Sequence, residues 1–226
     1  MTGVRRFARD NGLSLVLAGF FLVLLFVGQA VTGFLANNEE LRTHGRPALR
    51  FGDYLLSPHF LEATAENWES EFLQMFAFVL LTVFLFQKGS AESKKLDEPE
   101  AVDRDPRAAR DRAGVPWPVR RGGLALALYE HSLSLAFLAL FAASFVLHAI
   151  GGAAEYNDDR RAHGRAGDVT VAGYLATSRF WFESFQNWQS EFLAIGSMVV
   201  LSIWLRERGS PESKPVDAPH TDTGRE

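Results

Sequence analysis

The sequence contains no cysteine, which excludes disulfide bonds, thiolate catalysis and cysteine-ligated metal sites. Its net charge is only −4 at pH 7, which gives no reason to expect nucleic-acid binding. A Gly-rich phosphate loop, a His-Glu-x-x-His motif and a Gly-x-Ser-x-Gly motif are also missing. We therefore predict a protein that is not an enzyme, with no catalytic residues, no metal, no cofactor and no nucleic-acid partner.

Long apolar runs alternate with charged stretches along the chain, a pattern typical of membrane proteins. The first run, Leu13–Leu35, has 23 residues, whereas the apolar part of a signal peptide has roughly 7–15. Its counterpart in the second half lies inside the chain and cannot be removed as a signal. We expect an all-α membrane protein in which the first run is a retained transmembrane span.

One motif occurs twice. Asn67–Leu73 returns 120 positions later as Asn187–Leu193, with six of seven letters unchanged. Other stretches return in the same order, among them His-Gly-Arg at 44–46 and 163–165 and the segment Lys88–Lys94, which returns as Arg208–Lys214. Matches in the same order at a nearly fixed period indicate an internal duplication.

Each repeat contains two spans, an even number, so both repeats enter the membrane the same way round. We predict four transmembrane helices as two parallel two-helix repeats, related by a pseudo-two-fold axis along the membrane normal. Repeat one is predicted at 1–90, with spans at about 13–35 and 68–87. Repeat two is predicted at 123–210, with spans at about 131–153 and 186–205. A flexible cytoplasmic linker is predicted between them at 91–122, and a disordered tail at 211–226.

The basic residues predict the orientation. The N-terminus, the linker and the C-terminus hold 16 of the 23 Lys and Arg residues, and the two loops that connect the spans hold seven. By the positive-inside rule, both termini are cytoplasmic. The lipid bilayer is therefore the expected partner, and homo-oligomer formation stays open.

Two local patterns predict helix ends. Ser57-Pro58 is typical of an N-cap followed by proline at the first helical position. The two His-Gly-Arg sequences, at His44 and His163, are interpreted as turns rather than metal sites.

The second and fourth apolar runs are too short to cross a membrane alone, since a helix needs about 20 residues to cross a ~30 Å hydrocarbon core. Each must therefore draw its Asn-Trp-x-Ser-Glu sequence to the outer boundary or below it. Glu71 would then lie roughly 5 Å deep and Glu191 roughly 7 Å deep, at 1.5 Å per residue. Gln29 and His148 occupy corresponding places at a similar depth on spans one and three.

We group these side chains as the predicted polar cluster under the outer surface, because a polar helix face cannot favourably meet lipid. Its members are Gln29, Glu71, Gln74, His148 and Glu191, surrounded by Asn67, Asn187, Ser70 and Ser190. Trp68, Trp188 and Trp181 are expected to be aromatic anchors at the membrane interface.

Two functions stay open. In the first, the protein is a non-enzymatic structural or envelope-associated membrane protein, and its polar cluster provides hydrogen bonds for helix packing. In the second, it is a small proton- or cation-handling transporter, channel or sensor. A carboxylate and a histidine at shared depth could exchange a proton.

The chain resembles a family of bacterial inner-membrane proteins catalogued as a domain of unknown function. The resemblance rests on Asn11–Ser14, His44–Arg46, Asn67–Gln74 and Gln87–Lys94, and it covers nearly the whole chain outside the linker and the last dozen residues. It implies a multi-pass protein of the bacterial plasma membrane, and it transfers no catalytic or binding residue.

Overall fold

The computed structural model describes residues 3–224. Helices are the regular structure in this range, and no β-strand occurs in it. Four helices are long, and we number them in chain order: Gly12–Thr43, Pro58–Phe84, Ser132–Ala162 and Ser178–Leu201. Shorter helices lie at Gly3–Asp10, Phe51–Tyr54, Ala101–Asp103, Pro106–Ala109, Trp117–Arg121, Gly123–Glu130 and Val171–Leu175.

The first and third long helices are long and apolar enough to cross a membrane. Many of their large apolar side chains lie on the surface of the structure; Phe20, for example, is 63% exposed. The second and fourth long helices have 27 and 24 residues. The second ends at Phe84 and the fourth at Leu201, a few residues before the ends of the predicted spans at 87 and 205.

The residue patterns at the helix ends act as predicted. Ser57 Oγ accepts a hydrogen bond from the backbone N–H of Phe60 at 3.2 Å and caps the second long helix. Gly45 and Gly164 adopt φ of +67° and +69°, a conformation that glycine reaches without steric cost. Around them Arg46 N–H bonds Leu41 O and Arg165 N–H bonds Arg160 O, both at 2.8 Å. The two His-Gly-Arg sequences therefore end helices by the same hydrogen-bonded turn.

The chain divides into two compact units. The first contains residues up to Ala65 together with Leu147–Thr177. Its interior is built from small residues and two fully buried tyrosines, Tyr54 and Tyr174. The second contains Glu66–Val146 together with the residues from Ser178 onward. Leu126 and Phe180 are buried in it, and so is the charged residue Lys214.

Short helices and local contacts occupy the linker and tail in the second unit. Val119 is buried in the helix Trp117–Arg121. In the tail, the Lys214 ammonium donates to the carbonyl oxygens of Gly89, Pro219, His220 and Asp222 at 2.6–3.3 Å. Burial lowers the pKa of Lys214, Arg206 lowers it further, and Asp222 opposes the shift. The flexibility of 91–122 and the disorder of 211–226 stay predictions.

Candidate functional site

The predicted polar cluster is divided between the two units. Gln29 and His148 belong to the first unit, and the other members belong to the second: Asn67, Ser70, Glu71, Gln74, Asn187, Ser190 and Glu191. The polar groups of each unit are therefore described by themselves.

In the first unit, Gln29 joins the first long helix to the second. Its side-chain amide donates to Thr64 Oγ1 at 3.0 Å, and that hydroxyl donates to Phe60 O at 2.7 Å. Gln29 closes a π-helical stretch, Leu24–Gln29, inside the first long helix. Such stretches are rare and often occur at functional sites. The sequence pattern contains no signal for it.

His148 is fully buried on the third long helix. A carboxylate oxygen of Glu62, which is 8% exposed, lies within 4.8 Å of one of its ring nitrogens. The Tyr174 hydroxyl donates to Glu62 Oε1 at 3.4 Å. His148 is thus placed beside an acid that the sequence analysis did not include.

Two glycines permit this close packing. A Cβ atom on Gly151 would lie 2.8 Å from the backbone nitrogen of Glu62, and one on Gly152 would lie 2.5 Å from the Tyr174 ring. Real Cβ atoms essentially never show contacts under 3.0 Å. Gly151 therefore lets the third long helix approach the second closely enough to bring His148 and Glu62 together, and Gly152 leaves room for the Tyr174 ring.

In the second unit, two acids accept hydrogen bonds from the second copy of the repeated motif. Glu69 is fully buried, and its Oε1 accepts from the indole N–H of Trp188 at 2.9 Å. Glu66 Oε1 accepts from the side-chain amide of Asn187. These bonds join the second long helix to the fourth.

The predicted polar face of the second long helix is only partly buried. Ser70 and Gln74 are buried, whereas Asn67 and Glu71 are exposed. Gln74 donates to the backbone oxygen of Glu191 at 3.4 Å. Half-buried Glu191 lies close enough to Glu71 for the two carboxylates to interact electrostatically. Ser190 is exposed and Asn187 is half-buried.

The predicted aromatic anchors differ in exposure. Trp181 is 38% exposed, and Trp68 and Trp188 are half-buried. Trp188 packs among aromatic rings, with ring centroids 5.4 Å from Phe185 and 6.3 Å from Phe141. Its indole N–H is directed to Glu69, so Trp188 contributes a polar bond as well as apolar surface.

Sequence reasoning missed three acids, Glu62, Glu66 and Glu69. They follow one another on the second long helix at spacings of four and three residues, so they lie along one side of it. The corresponding positions in the second half hold Phe182, Gln186 and Gln189. The regular spacing of these three acids, together with their replacement by uncharged residues in the second half, is the sequence signal that could have identified them.

Comparison with known proteins identifies the family of the chain. The family model described as Domain of unknown function (DUF6766) matches residues 4–225. The chain belongs to this family. No curated protein and no solved structure matches the chain. The family description names no activity, so the function has to be argued from the residues described above.

Proposed function

We propose that this member of the DUF6766 family is a multi-pass protein of the bacterial plasma membrane, with four transmembrane helices and both termini in the cytoplasm. The length and apolar surface of the first and third long helices support this topology. The second and fourth, at about 40 and 36 Å by their rise per residue, exceed a ~30 Å hydrocarbon core. The distribution of Lys and Arg supports the orientation.

We further propose that the four helices form two parallel repeats. Matched contacts in the first unit support the duplication. The Asn38 amide binds the backbone N–H and C=O of Leu49, at 2.7 and 3.1 Å. The Asn157 amide binds the same two groups of Val169, at 2.9 and 2.8 Å.

Matched contacts in the second unit support the same proposal. Ser93 Oγ accepts from the backbone N–H of Gln87 at 2.9 Å, and Ser213 Oγ accepts from that of Glu207 at 3.0 Å. These serines are 120 positions apart, as are Gln87 and Glu207. One local conformation thus follows both the second and the fourth long helix.

The function we propose is structural: a non-enzymatic, envelope-associated membrane protein whose polar side chains hold its helices together. The observation that carries this proposal is the bond from Trp188 to the fully buried Glu69. The side-chain amides of Gln29 and Gln74 likewise donate hydrogen bonds to neighbouring helices. Hydrogen bonds of this kind specify how membrane helices pack.

Reporter fusions and flux measurements test this proposal. Fusions in the loops near Pro47 and Ala166 should report the outside, and fusions after Lys95 and at the C-terminus should report the cytoplasm. Trp188→Phe should lower thermal stability, because it removes the bond to Glu69, without changing proton or cation flux in liposomes. The matched control is Trp181→Phe on the same helix, which should lower stability less and leave flux unchanged. Altered flux with unchanged stability would contradict a structural role.

A second candidate function, proton or cation handling, is favoured by a separate observation. Glu62 and His148 are both buried, and a carboxylate oxygen of Glu62 lies within 4.8 Å of a ring nitrogen of His148. Histidine is the side chain whose charge changes near physiological pH. If this function is correct, liposomes that contain the wild-type protein should conduct protons faster than empty liposomes. Glu62→Gln should abolish the difference. Equal rates with wild-type protein and with empty liposomes would refute this candidate.

A further inference from the structure

The first unit encloses a second polar region, distinct from the predicted polar cluster. It is a cavity of about 330 Å³ between the end of the first long helix, the loop that follows it and the end of the third long helix. This volume falls within the roughly 300–1,000 Å³ typical of small-molecule sites. The proposed topology places the cavity on the outer side of the membrane.

The cavity carries an excess of negative charge. Five carboxylate residues line it, against one arginine, Arg46; the five are Glu40, Asp53, Glu155, Asp158 and Asp159. Two of the five have neighbours outside the lining. Asp158 pairs with Arg161 at 2.7 Å, and Asp159 lies 3.1 Å from His163 Nδ1. Glu40 and Asp53 alone outnumber Arg46, so the cavity attracts a cation.

His59, which also lines the cavity, does not cancel this charge. Burial holds the pKa of His59 below its usual value, and nearby Glu40 offsets only part of that shift. His59 is therefore neutral at pH 7. The ring of His44 has its Nδ1 3.0 Å from Glu40 O, a bond in which that nitrogen donates its hydrogen to the carbonyl.

Asn37 supplies an independent indication of a ligand. It lines the cavity and is only 9% exposed. Its amide oxygen is buried and accepts no hydrogen bond from any residue in the range 3–224. A buried acceptor without a donor is unfavourable, so the site is completed by a group that brings an N–H or O–H.

The spacing of the acids distinguishes an organic cation from a metal ion. Within the part of the chain that the structure describes, no three carboxylates or imidazoles of the cavity place ligand atoms within 4.8 Å of one another. A protein cage around a bare metal ion gathers several ligand atoms at one point. An extended cation, in contrast, matches acids spread around a cavity.

We propose that this cavity binds a small organic polyamine, with its ammonium groups against Glu40 and Asp53 and one N–H donated to Asn37. Ammonium groups satisfy both the excess charge and the unpaired amide oxygen.

Equilibrium binding of radiolabelled spermidine to the full-length protein in nanodiscs tests the proposal, at physiological salt. The wild type should bind at one saturable site. Glu40→Gln and Asn37→Leu should each weaken binding about tenfold, since each removes one charge-assisted or buried hydrogen bond. The matched control is Glu39→Gln, because Glu39 is exposed on the same helix and does not line the cavity. It should bind spermidine as the wild type does.

A second measurement separates loss of binding from loss of folding. Because Asn37→Leu removes a buried acceptor that has no donor, the melting temperature of the ligand-free variant should be unchanged or higher. Non-saturable binding to the wild type would overturn the proposal. So would equal weakening by Glu39→Gln, or full displacement of spermidine by Mg²⁺ at equal charge concentration, since both would indicate diffuse attraction rather than a site.

Discussion

Trp188→Phe tests whether polar bonds hold the helices of the second unit together. The substitution keeps an aromatic ring but removes the indole N–H, which donates to Glu69 Oε1 at 2.9 Å. Glu69 is 0% exposed, so water does not replace the lost donor without rearrangement of the packing around it. The carboxylate is then left buried with one hydrogen bond fewer.

The expected magnitude follows from the charge and burial of the acceptor. A hydrogen bond to a charged group contributes about 1.5–3 kcal/mol, and polar bonds between membrane helices contribute about 0.6–2 kcal/mol. The two ranges overlap near 2 kcal/mol. We therefore expect Trp188→Phe to lower the unfolding free energy by about 2 kcal/mol, which is about 30-fold in the folding equilibrium.

Reversible unfolding by SDS in mixed micelles measures this loss, and a double-mutant cycle with Glu69→Leu isolates the bond. We expect a coupling energy of at least about 1 kcal/mol. Trp181→Phe is the matched control, since Trp181 is 38% exposed on the same helix, and it should cost less than Trp188→Phe. A coupling energy below about 0.3 kcal/mol would refute the argument, because independent sites add within that error.

Three further predictions concern other parts of the chain. Asn38→Ala and Asn157→Ala should each lower the unfolding free energy by about 1–2 kcal/mol, because each side-chain amide makes two hydrogen bonds to a loop backbone. Chemical unfolding measures this loss. The control is Asn11→Ala, which should change the unfolding free energy by less than about 0.5 kcal/mol, because Asn11 is exposed. Burial lowers the pKa of His59 below its unfolded value of 6.5, so the unfolded state binds more protons between the two values and stability is lost as the pH falls from 6.5 through the folded pKa. His59→Gln should make the melting temperature less dependent on pH in that window. The same pH dependence of the melting temperature in the wild type and in the variant would contradict the argument from His59 burial. Lys214→Met should raise the rate of backbone amide hydrogen exchange at 219–224 at least about tenfold, because four carbonyl oxygens lose their hydrogen-bond donor. The control Lys94→Met should leave these rates unchanged, because Lys94 pairs with Asp103 instead.

Local features of the fold could be predicted from the sequence. Ser57 caps a helix because its hydroxyl precedes a proline at the first helical position. Gly45 and Gly164 end helices because glycine reaches positive φ without strain. Features of this kind depend on a few neighbouring residues, so the local sequence is enough to predict them.

The rotation of the second long helix could not be predicted. Hydrophobic length sets how far a helix descends into a membrane, but it says nothing about which side faces a neighbour. Successive residues differ by about 100° around a helix, so Glu69 and Glu71 point about 200° apart. The structure buries Glu69 and exposes Glu71, although both stand in the same repeated motif.

Repetition of a motif also does not determine its partners. Lys94 and Lys214 close the same turn in the two halves of the chain, yet Lys94 bonds Asp103 and Lys214 bonds backbone carbonyls. The difference arises from the segments that follow each turn, which are not duplicated. A sequence comparison within the chain detects the turn but not this divergence.

The two copies of the Asn-Trp motif have diverged in a way that supports a packing role for the polar side chains. The second copy provides donors, from Asn187 and Trp188, and the first half provides the acids that accept them, Glu66 and Glu69. The positions equivalent to these acids hold Gln186 and Gln189, which remove two charges from the second half. A buried carboxylate is stable only where donors surround it. The placement of these two acids where donors from the other copy reach them is therefore what helix packing requires.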